Sequence, residues 1–337
     1  MKYSFRNDYN QIGDIRILNT LVKNANVINT GYGYDDVSLK LENKIKELTK
    51  EDVSIYLLSG GTQTNMILLS KVLRPYEAVL ACDSGHIEVH ETGAVEGSGH
   101  KIVTVKGING KVTKEEVENA LKLYNNPHMV KIKVVYISNS TEVGSIYTKK
   151  ELLELYEVCK KNDLYLFLDG ARLPIALSAK TNDLTLEDVC KYTDAFYIGG
   201  TKNGMPYGEM LVIKDKDINE DFAYHLKNKG GMLSKAFVLA YMFETYFEND
   251  LYLCLARNSN SMADYLKEKL NEIGIEIVYP NDTNQIFIKI ENSLIKKISE
   301  KYDFEMWEEG SQKSIIRLVT TFNTEKRICD ELLSDLK

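Results

Sequence analysis

"KIKVVYISNSTEVGSIYTKKELLELYEVCKKNDLYLFLDG", residues 131–170, reads as strand, helix, strand. Residues 131–140 and 164–170 are apolar runs with many β-branched and aromatic side chains, which suit an extended backbone. Between them, "KKELLELYEVCKKN" (149–162) sets Leu152, Leu155, Tyr156 and Cys159 on one face at helical spacing. Strands that lack polar alternation and are joined by a helix predict neighbours in a parallel sheet covered on both faces.

The same pattern extends outward. "VSIYLLSGG" (53–61) is a short strand ending in glycines, and "TQTNMILLSKVL" (62–73) follows as a helix. Further strands are predicted at 101–107, 195–200 and 209–213, which gives an α/β fold with a mainly parallel sheet. After about residue 245 the pattern changes. A helix near 254–272, strands in "IEIVYP" and "QIFIKIE", a helix near 293–301, the strand "SIIRLVTT" and a last helix predict a smaller α+β domain. The expected division is a large domain at 1–245, including an N-terminal arm, and a small one at 246–337. A long helical pattern at about 219–250 bridges them.

Composition narrows the function classes. The chain has 337 residues, 44% of them hydrophobic and 27% charged, with a formal net charge of −7. That balance carries no basic footprint for nucleic acid. The N-terminus lacks the apolar stretch of a signal peptide, and no apolar run nears the roughly 20 residues of a membrane span. Five cysteines are scattered without CxxC spacing, as expected of free thiols in the cytoplasm.

Ligands of open parallel sheets sit beyond the carboxyl ends of the strands, and three such ends carry polar residues. In "SGGTQTN" glycines precede a helix start, where backbone N–H groups and the helix dipole can seat a phosphate. The bland reading is a tight turn capped by Thr62, and the spacing matches neither a Walker A loop nor GxGxxG. In "LYLFLDGARLPIAL" Asp169 ends an apolar run with Arg172 three residues on, either as an internal pair pinning the turn or as ligand groups. In "YIGGTKNGMPYGEMLVI" (197–213) Lys202 stands between glycine turns, an unusual post for a well-hydrated amine. A phosphate seat, a carboxylate and a lysine together suit pyridoxal 5'-phosphate. The lysine forms a Schiff base with the aldehyde, and the carboxylate keeps the pyridine nitrogen protonated.

The set "SGGTQTN", "CDSGHIEVHETGAVE", "ISNSTEVGSIYT", "FLDGARL" and "GGTKNG" resembles the low-specificity L-threonine aldolases, with further likeness from "FRNDY" (5–9) and "GYGYDD" (31–36) to "RLVTTFNT" (317–324). These are fold-type I pyridoxal-phosphate enzymes of the branch related to β-eliminating lyases. The resemblance implies a seven-stranded sheet in the large domain and retro-aldol cleavage of L-threonine or L-allo-threonine to glycine and acetaldehyde. It implies that Gly61 and Thr62 hold the cofactor phosphate, His86 lies over the ring, Asp169 pairs with the ring nitrogen and Lys202 carries the Schiff base. Arg172 would contact the cofactor near the ring's phenolic oxygen and, with Arg317, take the substrate carboxylate, with Asn7 near it where many members have serine. His86, His90 or a water held by either would be the general base.

The sequence also departs from that pattern. Thr141 stands where some members have histidine. The family's "GGGMRQ"-like segment appears as "KNKGGMLSKA" (227–236) without its arginine, leaving Lys227, Lys229 or Lys235 as substitutes. His86 and His90 lie four apart, but "HIEVH" is not HExxH and no metal is expected. Competing expectations are a β-eliminating lyase acting on a Ser-, Thr- or Cys-like amino acid, a transaminase, and a non-catalytic protein of the same fold. The resemblance further implies a homodimer or homotetramer, with Tyr32–Gly33 and 225–235 reaching a partner's site. Small amino acids are the expected partners, with neither nucleic acid nor membrane.

Overall fold

The computed structural model describes residues 2–280 and 282–337. Its larger sheet has seven strands: β2 (Ser54–Leu58), β3 (Glu77–Cys82), β4 (Lys101–Val105), β5 (Lys131–Ser138), β6 (Tyr165–Asp169), β7 (Ala195–Gly199) and β8 (Glu209–Ile213). They lie in the order β2-β8-β7-β6-β5-β3-β4. Pairing is parallel from β7 through β6, β5 and β3 to β4, and β8 alone runs antiparallel to both of its neighbours. The 131–170 stretch forms β5, the helix Lys149–Lys161 and β6. Thr148 starts that helix with a capping box, its side chain accepting from the Glu151 N–H while the Glu151 carboxylate accepts from the Thr148 N–H.

Every residue of β3, β7 and β8 is buried. Successive side chains still separate by face. Ala78, Leu80 and Cys82 join one apolar cluster with Val135, Ile137, Phe196 and Ile198, while Val79 and Ala81 join a second with Val134, Tyr136, Phe167 and Tyr197. The period of two therefore persists as a choice between two cores, each roofed by helices.

β3 itself, "EAVLAC", is absent from the strands read off the sequence, being a six-residue run between a turn and the glycine-containing "DSG". The helical pattern at 219–250 also resolves differently. It divides into Lys216–Asn219, Phe222–Asn228 and Ala236–Phe247, and Gly230 at φ +74° sits just past the second. A glycine in that left-handed conformation ends a helix without a Cβ penalty.

The smaller sheet has the order β12-β13-β10-β9, all antiparallel, from β9 (Glu276–Ile277), β10 (Gln285–Glu291), β12 (Glu305–Glu308) and β13 (Lys313–Val319). β1 (Tyr3–Ser4) pairs in parallel with β11 (Tyr302–Asp303). Phe5 continues this attachment: its N–H donates to the Asp303 carbonyl at 2.7 Å and its carbonyl accepts from the Val319 N–H at 2.7 Å. Its ring is fully buried in the small-sheet core with Leu266, Ile286, Ile316 and Leu332. The 22-residue helix Leu251–Glu272 connects the two regions, with Leu251 and Leu255 in the large core and Leu266 and Leu270 in the small one.

Candidate active site

Three strand ends of the large sheet converge, as the sequence predicts. β6 ends at Asp169, beside Ser138 of β5 in register. At the next residue a Cβ on Gly170 would collide with the Tyr197 carbonyl, so the tight exit from β6 requires glycine. β7 ends at Gly199, three residues before Lys202. β2 ends at Leu58, and Gly60 then caps the helix Gly61–Val72.

Asp169 is 4% exposed and accepts four hydrogen bonds. Oδ1 accepts from the Tyr197 hydroxyl at 2.5 Å and the Ala171 N–H at 3.0 Å. Oδ2 accepts from the Tyr136 hydroxyl at 2.5 Å and Asn65 Nδ2 at 3.1 Å. Burial by itself would raise the carboxyl pKa, but the neighbouring His86 imidazole and the hydrogen-bond donors more than offset it and hold the group below the ordinary carboxylate value. Burial pushes both phenols well above theirs, so Tyr136 and Tyr197 remain protonated donors.

Lys202 is half-buried, and its amine makes no hydrogen bond or ion pair among the described residues. Burial and then the Arg172 guanidinium lower its pKa, against the opposing pull of Asp8, Asp169 and Glu209. Glu209 opens β8, level with Gly199 on one side and Leu58 on the other. Its Oε1 accepts from the Thr201 hydroxyl at 2.8 Å, its Oε2 is buried without a partner, and burial pushes the acid up to about 8.

The first turn of the helix Gly61–Val72 contains no acidic residue, and Gly60 supplies no side-chain cap. Its leading N–H groups are therefore available to an anion. A Cβ at Gly61 would stand 2.8 Å from the Tyr197 hydroxyl, which accounts for glycine there, and Thr62 is exposed.

Two cavities of about 380 and 320 Å³ adjoin at Tyr9, His86, His90 and Lys202. The first is lined by Gly60, Gly61, Thr62, Asp169, Tyr197 and Glu209, and the second by Asn7, Glu142, Arg172, Glu305 and Arg317. Asn7, Gly61, Thr62, His86, His90, Asp169, Arg172, Lys202 and Arg317 each line one or the other, whereas Lys227, Lys229 and Lys235 line neither. Arg172, however, does not pair with Asp169. Its Nε and Nη2 donate to Asp8 at 2.7 and 3.1 Å, and Nη1 makes no hydrogen bond among the described residues. Arg317 lies inward, as its apolar surroundings predict, where its guanidinium meets Glu305 and Gln285 and stands 5.5 Å from the Trp307 ring centre. Its Nε is buried and has no hydrogen-bond partner among the described residues.

His86 is held at two points. Its backbone N–H donates to Glu142 Oε1 at 3.1 Å, and Nδ1 lies 2.9 Å from Glu91 Oε1. Glu91 also accepts from Asn65 Nδ2 at 2.8 Å. The His86 and His90 ring centres are 5.5 Å apart. Burial lowers the pKa of His90, helped by its nearness to His86. Thr141 is buried against Ser145, with 2.8 Å between the hydroxyl oxygens, and takes no part in either cavity.

Sequence reading missed Asp8, Asn65, Glu91, Glu142 and Glu209. For Glu91 and Glu209 a signal was present: one is an acid directly after a histidine-bearing turn, and the other opens an otherwise apolar strand.

These groups fit pyridoxal phosphate, with an unpaired amine of lowered pKa, a buried carboxylate held ionised, and an uncapped helix start in the same cavity. Comparison with known proteins agrees. Residues 17–293 match the model of the beta-eliminating lyase family. A low specificity L-threonine aldolase from a Pseudomonas species is 29% identical over 316 residues, which cover 91% of this chain and 89% of that one. A threonine aldolase structure from Leishmania major is 41% identical with a TM-score of 0.97, covering 99% of this chain and 98% of that one. An aspartate aminotransferase from Thermus thermophilus, 13% identical with a TM-score of 0.72 and coverage of 99% and 90%, shares the fold alone. The chain belongs to the beta-eliminating lyase family and, within it, to the threonine aldolases.

Proposed function

We propose that this enzyme cleaves L-threonine and L-allo-threonine to glycine and acetaldehyde with pyridoxal phosphate bound at Lys202. The observation that carries the reading is the unpaired, pKa-lowered Lys202 amine in one cavity with the buried, ionised Asp169. Pyridoxal phosphate supplies an aldehyde for the amine and a protonated ring that withdraws the electrons of the broken Cα–Cβ bond.

The chain's own residues do the rest. Burial keeps part of the Lys202 population neutral and therefore nucleophilic. Asp169, fixed by four donors, holds the proton on the ring nitrogen. Gly61, Thr62 and the start of their helix receive the phosphate. Arg317 and Arg172, the latter through Nη1, bind the substrate carboxylate with Asn7 beside them, which orients the bond to be broken. His86 Nε2 accepts the β-hydroxyl proton, so that the departing fragment leaves as an aldehyde.

The free cysteines support a reducing, cytoplasmic setting, and no helix among the described residues is long and apolar enough to cross a membrane. Exposed Val27, Ile28, Tyr32 and Tyr34 support assembly with further copies as a homodimer or homotetramer. Lys227, 4.5 Å from the Tyr32 ring centre, lies on that same face. The division into residues 1–245 and 246–337 is part of the same reading.

The test is product identification after L-threonine is incubated with cofactor-loaded protein. Glycine with acetaldehyde is expected. 2-Oxobutanoate with ammonia would overturn retro-aldol cleavage in favour of elimination.

A further inference from the structure

Glu91 follows the short helix His86–Val89, and its side chain is wholly buried. Oε1 receives two neighbours: Asn65 Nδ2 at 2.8 Å and His86 Nδ1 at 2.9 Å. Asn65 also reaches Asp169 Oδ2 at 3.1 Å. A side-chain atom lying between two carboxylates has to be the donating NH2 end of the amide, because ionised carboxylates only accept. Oε1 is then an acceptor toward Asn65, and it is an acceptor toward His86 as well. The ring proton consequently belongs on Nδ1, and Nε2, which makes no hydrogen bond among the described residues, keeps its lone pair in the cavity.

We propose that Glu91 is the positioning residue of His86: it holds the Nδ1–H tautomer and the ring plane, so that Nε2 is the proton acceptor in the cleft. The inference rests on the retro-aldol reading for its catalytic meaning, but its geometry stands apart from that reading. Oε2 has no hydrogen-bond partner among the described residues, so the carboxylate has accepting capacity to spare for the charge that His86 gains when it takes a proton. The Glu142 bond to the backbone of His86 fixes the turn, while Glu91 fixes the ring. Through Asn65 the same carboxylate is joined to Asp169, so the base and the ring-nitrogen partner are set by one buried chain of hydrogen bonds.

The experiment is nitrogen NMR of histidine-labelled protein, with and without cofactor, on the wild type, Glu91→Gln and Glu91→Leu. His86→Asn identifies the His86 signal among the five histidines. The wild type is expected to show His86 protonated at Nδ1. Glu91→Gln keeps that tautomer, because the amide oxygen can sit between the same two donors, and Glu91→Leu shifts it to Nε2–H.

In threonine cleavage, kcat is expected to fall about tenfold in Glu91→Gln and about a hundredfold in Glu91→Leu with KM unchanged, within the range of a general-base contribution. An Nε2–H tautomer in the wild type overturns the proposal without any variant. An unchanged tautomer in a folded Glu91→Leu, or an unchanged kcat, overturns it as well. If the tautomer responds as expected while even the wild type leaves threonine intact, the positioning role of Glu91 stands and the retro-aldol reading fails.

Discussion

Asp8 and Arg172, 164 residues apart, form a two-pronged ion pair in which Nε and Nη2 of the arginine donate to Oδ2 and Oδ1 of the aspartate. Their side chains are 0% and 10% exposed. Asn284 adds a third donor to Asp8 at 3.0 Å. The pair fastens the N-terminal arm to the exit of β6 and holds the guanidinium over the cleft.

Replacing Asp8 by Asn leaves the Arg172 charge buried without its counter-ion. Urea unfolding of the cofactor-free protein is expected to show a loss of about 3 kcal/mol at neutral pH. Burial alone would raise the Asp8 pKa, but Arg172, Lys202 and the hydrogen bonds lower it overall from its usual 3.8. The contribution is therefore present above pH 3.8 and is lost as pH falls through the lower folded-state value. The gap between wild type and variant should narrow only in that acid range. A constant gap down to strong acid would contradict the assignment.

Lys202→Ala removes the amine that engages the cofactor aldehyde. Borohydride reduction of loaded wild type followed by peptide mapping should find the cofactor on the peptide carrying Lys202. The variant should yield no lysine adduct, and its turnover should fall by more than about a thousandfold. A normal adduct elsewhere in the variant would displace Lys202 from its role.

Arg317→Lys keeps the charge but loses the planar fork of donors. Loss of a charge-assisted bond worth about 1.5–3 kcal/mol corresponds to roughly a ten- to hundredfold rise in KM for threonine. Steady-state kinetics at saturating cofactor would show this, and unchanged KM would move the carboxylate site elsewhere.

Glu209→Gln tests the buried acid. A carboxyl raised from 4.5 to about 8 in the folded protein stabilises it fully below pH 4.5, and that contribution drains away as pH climbs to about 8. The glutamine variant carries no such dependence. Its melting temperature relative to wild type should rise between pH 5 and 8 and level off above, as measured by calorimetry of the cofactor-free protein. Parallel curves across this range would show that Glu209 titrates normally.

The parallel-sheet architecture was legible in the chain because β6, β7 and β8 are apolar runs ending at glycine turns or opening from them, and β5 is a longer run of eight residues. β3 escaped although it is longer than β6, β7 and β8: its immediate neighbours are Tyr76 and Asp83, with no glycine directly at either end. The pairing of Tyr3–Ser4 with Tyr302–Asp303 left no local trace, since neither segment is long or apolar enough to read as a strand alone. At the site, Asp169 and Lys202 could be placed because buried charge at a strand end is costly without a reason. Their companions could not. Tyr136, Tyr197 and Asn65 converge on Asp169 from two further strands and a helix, and each looks like ordinary core or helix surface in its own segment. Arg172 shows the same limit: the near neighbour in sequence was Asp169, but the partner in space is Asp8.

The seating of Phe5 between Asp303 and Val319 bears on how the protein is made. Phe5 is synthesised long before its hydrogen-bonding partners Asp303 and Val319, so this attachment of the arm cannot form until translation has passed residue 319. The large sheet can assemble earlier on the nascent chain, complete with its lysine and carboxylate but with the substrate side unwalled. Competence to select an amino acid is thus conferred late, and a chain cut short before β13 would lack the Arg317 wall of the cleft.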